Sequence, residues 1–307
     1  MAHKLYTSEE AARSVLAALR YLTVLPRTVR MDFSSEFVAG RGQTVNVRGP
    51  ISAGEAKTYT AENRTSRDAI EFNDLTQSWV PVKLDNQVYN AVRLPDDWAT
   101  FTLKDLQSQV IRPQAESVVD ALAKPLLAEM NKIKAETTAA ATVDQDTGES
   151  DVLRSITRLR AVLNKRKVPM VGRTLAIGSD WEEALQNTPM LNKVNESGDN
   201  GSMLREATLG RIKGFDVVFD ASLPKNKAIA YHKDAFAFVT RPSRVPEGAA
   251  YGAVVSEAGF SLRHIMHYNA TQLEDQSVID TFHGAATLDA NRAVAAEIST
   301  SKPGLGG

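Results

Sequence analysis

Val110-Ile-Arg-Pro-Gln-Ala-Glu-Ser-Val-Val-Asp-Ala-Leu-Ala-Lys-Pro-Leu-Leu-Ala-Glu-Met-Asn-Lys-Ile-Lys134 carries the strongest helical pattern in the chain. Val118, Leu122, Leu126, Met130 and Ile133 fall on one stripe at three- and four-residue spacing, with Val119, Ala123 and Leu127 beside it. Thr102 and Asp105 supply the hydroxyl and the acid of a helix start. A helix from there to about Lys134 is predicted, ~30 residues and ~45 Å long. Pro113 suits the opening of its main segment. Pro125 sits inside the stripe, where it removes a hydrogen bond at a cost of about 3 kcal/mol and is predicted to bend the rod. We read one long bent helix.

Upstream the chain changes character. From Glu36 to Asp74 it is polar, with five basic and six acidic residues, punctuated by Gly40, Gly42, Gly49-Pro50 and Gly54. One short run alternates, Thr44-Val45-Asn46-Val47-Arg48. So long a polar stretch is no ordinary connection in a compact domain; it is a flexible loop or an extended arm whose partners lie elsewhere. Ala69 to Phe72 and then Trp79, Val80, Val82 and Leu84 follow, with Asp85-Asn86 as a turn before Val88 to Val92. Together they predict a long two-stranded projection, only marginally stable alone. Nearer the N-terminus, Thr7 and Glu10 have capping-box spacing, and Ala12, Val15, Leu16, Leu19 and Leu22 recur at helical intervals as far as Leu25-Pro26. An amphipathic helix with a solvated, mildly basic face is predicted there.

Downstream, Ala139 to Ser150 reads as a small polar linker and the best domain boundary. A basic helix around Arg154 to Lys167 follows, then short elements at Thr174 to Ile177, Trp181 to Gln186, Phe215 to Phe219, Ala228 to Tyr231 and Ala235 to Val239. These predict a mixed α/β unit ending near Pro246. Long strands are expected through Ser261 to Tyr268 and Ser277 to Phe282, then a polar tail from Ser299 to Gly307. No internal repeat is present.

The 307 residues are 43% apolar and 24% charged, with a net charge of -1, which is ordinary globular composition without the footprint of a dedicated nucleic-acid binder. Cysteine is absent, so disulfides, thiolate metal sites and a cysteine nucleophile are excluded. Glu9 and Glu10 stand where a signal peptide would begin its apolar run, and no window approaches ~18 uninterrupted apolar residues, so neither secretion by that route nor a membrane span is expected. Asp146-Thr147-Gly148 spells the aspartic-protease triplet, yet it sits in polar chain and reads as linker. His264 and His267 would need one helical face to share a metal, but the local alternation is strand-like and sends them to opposite sides. His264 is therefore expected to be a partly buried, hydrogen-bonded histidine. Gly210-Arg-Ile-Lys-Gly214 lacks the phosphate-loop ending and reads as a tight turn. Neither a Gly-x-Ser-x-Gly elbow nor a His-Glu-x-x-His helix occurs. No catalytic residue, cofactor or metal is expected.

Leu22-Thr-Val-Leu-Pro-Arg-Thr-Val-Arg-Met-Asp-Phe-Ser-Ser-Glu-Phe37 and Gly42-Gln-Thr-Val-Asn-Val-Arg-Gly-Pro50 resemble the start of major capsid proteins from tailed bacteriophages of actinobacterial hosts. Asp74-Leu-Thr-Gln-Ser-Trp-Val-Pro-Val-Lys-Leu-Asp85 is similar to their extended-loop hairpin, and Val110-Ile-Arg-Pro-Gln114 to the start of their spine helix. Leu204-Arg-Glu-Ala-Thr-Leu-Gly-Arg-Ile-Lys-Gly-Phe-Asp-Val217 and Ala230-Tyr-His-Lys-Asp-Ala-Phe-Ala237 resemble their axial domain. The likeness runs from about residue 10 to 295.

The resemblance implies an α+β chain of the Hong Kong 97 type capsid fold. Its parts would be an N-terminal arm (1–35), an extended loop with its β-hairpin (36–100), a peripheral domain with the spine helix (101–145), an axial domain (146–248), and return strands of the peripheral domain with a tail (249–307). It implies a structural protein that assembles with copies of itself into the hexamers and pentamers of an icosahedral head. Scaffolding, portal and decoration proteins would be its partners, and packaged double-stranded DNA would be held without sequence-specific contact and without a membrane. Assembly would occur in the host cytoplasm, and the virion capsid would be its destination. No long scaffolding segment is expected before the arm, and no Lys-Asn-Glu set for crosslinking can be placed, which leaves crosslinking and maturation proteolysis open. Arg48, Glu55, Lys57, Glu62, Arg64, Arg67 and Asp68, within Val47 to Asp68, become candidate subunit contacts that add nothing to the subunit's own core, and Pro125 the bend of the spine. An encapsulin-like nanocompartment shell is the nearest alternative; a hydrolase or an unspecific nucleic-acid binder fits less well.

Overall fold

The computed structural model describes residues 25–31, 44–101, 107–140, 151–188, 210–249, 251–257 and 260–299. The helix expected over Thr7 to Leu22, the helix start at Thr102 to Asp105, the Asp146-Thr147-Gly148 triplet and the tail beyond Ser299 lie outside the described residues. A 3-10 turn at Leu25–Thr28 buries Leu25 and Pro26, and Arg30 then bridges Ala237 in parallel. The elements that follow are β1 (Thr44–Ser52), α1 (Ala61–Ser66), β2 (Thr76–Lys83), β3 (Asn86–Pro95) and α2 (Asp96–Phe101). A π turn at Gln107–Ile111 feeds α3 (Arg112–Asn131), followed by β4 (Ala135–Ala140), α4 (Asp151–Lys165), β5 (Arg173–Ile177) and α5 (Ser179–Gln186). The chain continues through β6 (Arg211–Ile212), β7 (Phe215–Phe219), β8 (Lys227–His232), β9 (Phe236–Arg241), β10 (Tyr251–Glu257), β11 (Phe260–Asn269), β12 (Glu274–Thr287) and β13 (Ala293–Ser299).

The helix α3 is continuous through Pro125 and buries the expected stripe, Val118, Leu122, Leu126 and Met130, with Ala123 and Leu127. It is shorter than the apolar pattern suggested, about 30 Å at ~1.5 Å per residue. The amides of Lys132 and Ile133 turn back to Glu129 and Met130, and a strand begins at Ala135.

Three sheets result: β1 with β2; β10-β11-β12-β3, with β9 also on β12; and β4-β13-β8-β5-β7-β6. This corrects the strand pairing expected from sequence. Asp85-Asn86 is no hairpin turn: β2 pairs antiparallel with β1, whereas β3 pairs with β12 over Glu274↔Pro95 to His283↔Asn86. The reason is apolar supply, since Leu84 buries with Val45, Val47 and Val82, while β3 finds ten consecutive partners on the 14-residue β12. Ala69 to Phe72 forms no strand and is exposed. Ala139, expected in a linker, is buried in β4, and β13, expected as part of no strand, lies between β4 and β8.

Alternation assigns the two faces of the six-stranded sheet. Leu175, Ile177, Ala228, Ala230, Val294 and Ala296 pack against Ile156, Leu159 and Leu163 of α4 and Trp181 and Leu185 of α5. Ala176, Ile229, Tyr231, Ala293 and Ala295 face the other way, onto α3, Phe236, Phe238 and Leu25. Burying both sides of β8 and β13 removes hundreds of Å² of apolar surface at roughly 25 cal/mol per Å². These two layers hold much of the buried apolar surface among the described residues.

Candidate functional site

No constellation of reactive groups emerges among the described residues. Among the described residues no group of three or more His, Cys, Asp or Glu could hold a metal ion. His264 is buried and its Nε2 lies 3.1 Å from the Ser277 hydroxyl. That hydroxyl donates to Gln114 Oε1 at 3.0 Å, and Gln114 Nε2 donates to the Ser277 carbonyl at 3.1 Å. His264 thus ties α3 to the sheet, while His267 is exposed on the same strand. Arg263 grips the buried carboxylate of Asp280 in two-pronged fashion at 2.7 and 2.9 Å, and Ser243 donates to the same carboxylate at 2.8 Å. A carboxylate so fully engaged is structural. Lys213-Gly214, both at positive φ, form the tight turn between Ile212 and Phe215. Tyr231 is buried against Thr28, which it hydrogen-bonds, and burial pushes its pKa above the usual tyrosine range.

What the fold does present is a projection. Val45, Val47, Val82 and Leu84 root the β1–β2 hairpin against Ala237, Val239 and Leu288. Val47 and Gly49 are buried, so the segment outside the core begins after Gly49 and not at Val47 as expected from sequence. At that boundary the Arg48 guanidinium lies 5.0 Å over the Trp79 ring, and Arg30 Nη1 donates to the Arg48 carbonyl at 3.3 Å. The ladder shifts register between Arg48 and Ile51, where Gly49-Pro50 cannot keep it regular.

Beyond the hairpin every residue from Ala53 to Thr76 is exposed apart from the half-buried Asn63. The loop is ordered by polar bonds alone. Asn73 Nδ2 donates to the Glu55 carbonyl at 2.7 Å, Lys57 pairs with Glu71 at 2.5 Å, and the Tyr59 hydroxyl sits 2.7 Å from the Asp68 carbonyl. Thr60 caps α1, and Arg67 at φ 55° closes it. Gly54 has φ +75° and meets Asn73 so closely that a Cβ would lie 3.2 Å from its amide nitrogen. Glycine is required there.

All seven charged residues selected from sequence are exposed on this loop or its root, yet no two of them form an ion pair among the described residues. Lys57 pairs with Glu71, which the sequence reading does not select. It also passes over the apolar set, Ile51, Ile70, Phe72 and Leu75, of which Phe72 is 86% exposed. Single apolar residues two or three apart in polar chain are the available signal, and they equally spell a strand. All four are apolar surface that the single chain leaves in water. Pro125 is half-buried within α3.

No family model matches the chain, and no curated protein does. Solved structures do. The chain is similar to one from Mycobacterium phage Che8 with a TM-score of 0.60 and 17% identity, covering 96% of this chain and 94% of that one. The capsid structure of cyanophage P-SCSP1u aligns with a TM-score of 0.62 and 12% identity, covering 98% and 91%. A virus-like particle from Pyrococcus furiosus aligns with a TM-score of 0.52 and 12% identity, covering 94% and 98%. The chain therefore has the mixed α+β capsid fold of Hong Kong 97 type over essentially its whole length.

Proposed function

We propose that this chain is the major capsid protein of a tailed bacteriophage, a structural and not an enzymatic protein that assembles into the hexamers and pentamers of an icosahedral head around double-stranded DNA. The observation that carries this reading is the projection, with Ile51, Ile70, Phe72 and Leu75 exposed on a loop that has no core of its own. A neighbouring copy is the surface that would bury them. In this reading residues 1–35 are the N-terminal arm, 36–100 the extended loop, 101–145 the peripheral domain, 146–248 the axial domain and 249–307 the returning strands, with α3 as spine and Pro125 fitting it to a curved shell. The exposed charges Arg48, Glu55, Lys57, Glu62, Arg64, Arg67 and Asp68 contribute about 0 to 1 kcal/mol per intersubunit pair. Repetition around a closed shell multiplies so small a contribution and makes it sensitive to salt. Scaffolding, portal and decoration proteins would join the assembly in the host cytoplasm.

Electron microscopy of the purified chain tests the proposal. Closed shells or rings of six are expected; a discrete monomer or dimer at high concentration, with and without a scaffolding partner, would refute it. Replacing residues 50 to 68 by a short Gly-Ser turn should barely change unfolding by denaturant, since little apolar area is lost. It should abolish closed particles or make them fall apart as salt rises. The likeness to the Pyrococcus furiosus virus-like particle supports a second reading, a nanocompartment shell. Particles filled with protein rather than DNA would favour it.

A further inference from the structure

The net charge of -1 hides a segregation. Residues 152–173 contain seven basic side chains and no acidic one. One side of α4 is spent on the core, through Val152, Leu153, Ile156, Leu159 and Leu163. On the opposite side Arg154, Arg158 and Lys165 are exposed, at positions that line up along the helix, and Lys167 is exposed just beyond its end. Arg160 Nη1 donates to the Lys213 carbonyl at 3.0 Å, which brings the β6–β7 turn and its lysine alongside. Arg158, Lys165 and Lys167 have no carboxylate partner among the described residues. The solvent face of α3 is different: Arg112 pairs with Glu116 there and Lys132 with Glu129.

We infer that the solvent face of α4 binds the phosphate backbone of double-stranded DNA without reading its sequence, and is therefore part of the inner surface of the shell. This inference rests on the capsid reading above. Asp151 opens the helix on the same side, and the face is otherwise basic; such a face suits a polyanion, because phosphate recognition needs cations and no base-specific geometry. A protein–protein interface depletes lysine and mixes signs. Only a few cations per subunit take part, so the binding stays weak and reversible, as DNA that must later leave requires.

The test uses the full chain and a 30-base-pair duplex of arbitrary sequence, with binding followed by fluorescence anisotropy between about 50 and 200 mM salt. The triple variant Arg158→Glu, Lys165→Glu, Lys167→Glu is expected to bind about tenfold or more weakly, its salt slope reduced by roughly 0.9 for each phosphate no longer neutralised. Arg158→Lys, Lys165→Arg, Lys167→Arg should bind as the parent does, and circular dichroism should show all three proteins equally folded. No duplex binding by the parent chain, or a triple variant with unchanged affinity and slope, overturns the inference. So does a triple variant that still binds DNA but no longer forms rings, which would make this face a surface shared with a neighbouring copy. Shells seen by electron microscopy in any of these cases would leave the capsid reading standing; absence of shells from the parent chain would remove that reading instead.

Discussion

The six-stranded sheet and the projecting loop are made from the same kinds of residue and stand in opposite relations to water. Phe236 of β9 is fully buried against the six-stranded sheet, edge-on to Tyr231 of β8 with ring centroids 5.5 Å apart. Phe72 is 86% exposed. The first stabilises the subunit by what it already touches. The second keeps its apolar surface for something that the single chain does not contain. In the capsid reading, an apolar residue of this molecule would act within the chain or between chains according to whether its segment pairs with the central strands.

The sharpest way to break that distinction is to truncate both rings. Phe236→Ala should cost about 3 to 5 kcal/mol through lost burial and a cavity, read as a lowered urea midpoint of the unassembled chain. An unchanged midpoint would show that the sheet is not the stabilising region. Pro125→Ala lies in between: it restores a helical hydrogen bond that proline cannot make, and should raise subunit stability by up to about 3 kcal/mol. Altered particle size or yield with a more stable subunit would assign Pro125 to shell curvature; unaltered particles would remove it from assembly.

Acid should separate the regions further. Burial lowers the pKa of His232, against the opposing pull of Asp234 3.5 Å away, and burial likewise lowers that of His283. The folded chain therefore prefers both imidazoles neutral. Their contribution to stability is complete above about pH 6.5, the unfolded value, and is lost as pH falls from there through the depressed folded values. Urea midpoints should decline over that window, and His283→Gln should flatten the decline; a decline unaltered by that substitution would place its origin elsewhere. The smallest effect on the subunit belongs to Phe72→Ala, expected within about 0.5 kcal/mol by denaturant unfolding. Particle yield should nevertheless fall. A large loss of subunit stability would mean that the loop belongs to the core after all.

Much of this was legible in sequence where one face of an element is wet and the other dry. The stripe of α3, the basic face of α4 and the Val45/Val47 alternation of β1 all show it. Elements dry on both sides were read unevenly: β5 and β8 were found as short apolar runs, whereas β13 was missed. Ala293-Val-Ala-Ala-Glu-Ile298 has no alternation, and alanine is a weak strand former, yet small residues are what the space between two packed layers admits. Ala135 to Ala140 escaped for the opposite reason: it is a largely exposed edge strand of small and polar residues, with no apolar face to read. The pairing of β3 with β12 joins residues far apart in the chain, and local turn chemistry at Asp85-Asn86 pointed the other way. Within the candidate site the charges stood out, whereas Ile70 and Phe72 did not, because alternation in a short apolar run signals a strand whether or not a partner strand exists.

The position of β13 between β4 and β8 has a consequence for the timing of synthesis. Roughly sixty residues separate the end of β8 from Ala293, so at about 5 to 20 residues per second a ribosome leaves both ribbon edges bare for several seconds. A chain truncated before Ala293 should show β8 amides exchanging with solvent deuterium far faster than in the full chain; equal protection would mean that β5 alone suffices. While it waits, the nascent chain is at its most prone to edge-to-edge sticking. Arrival of β13 closes the sheet and ends that exposure.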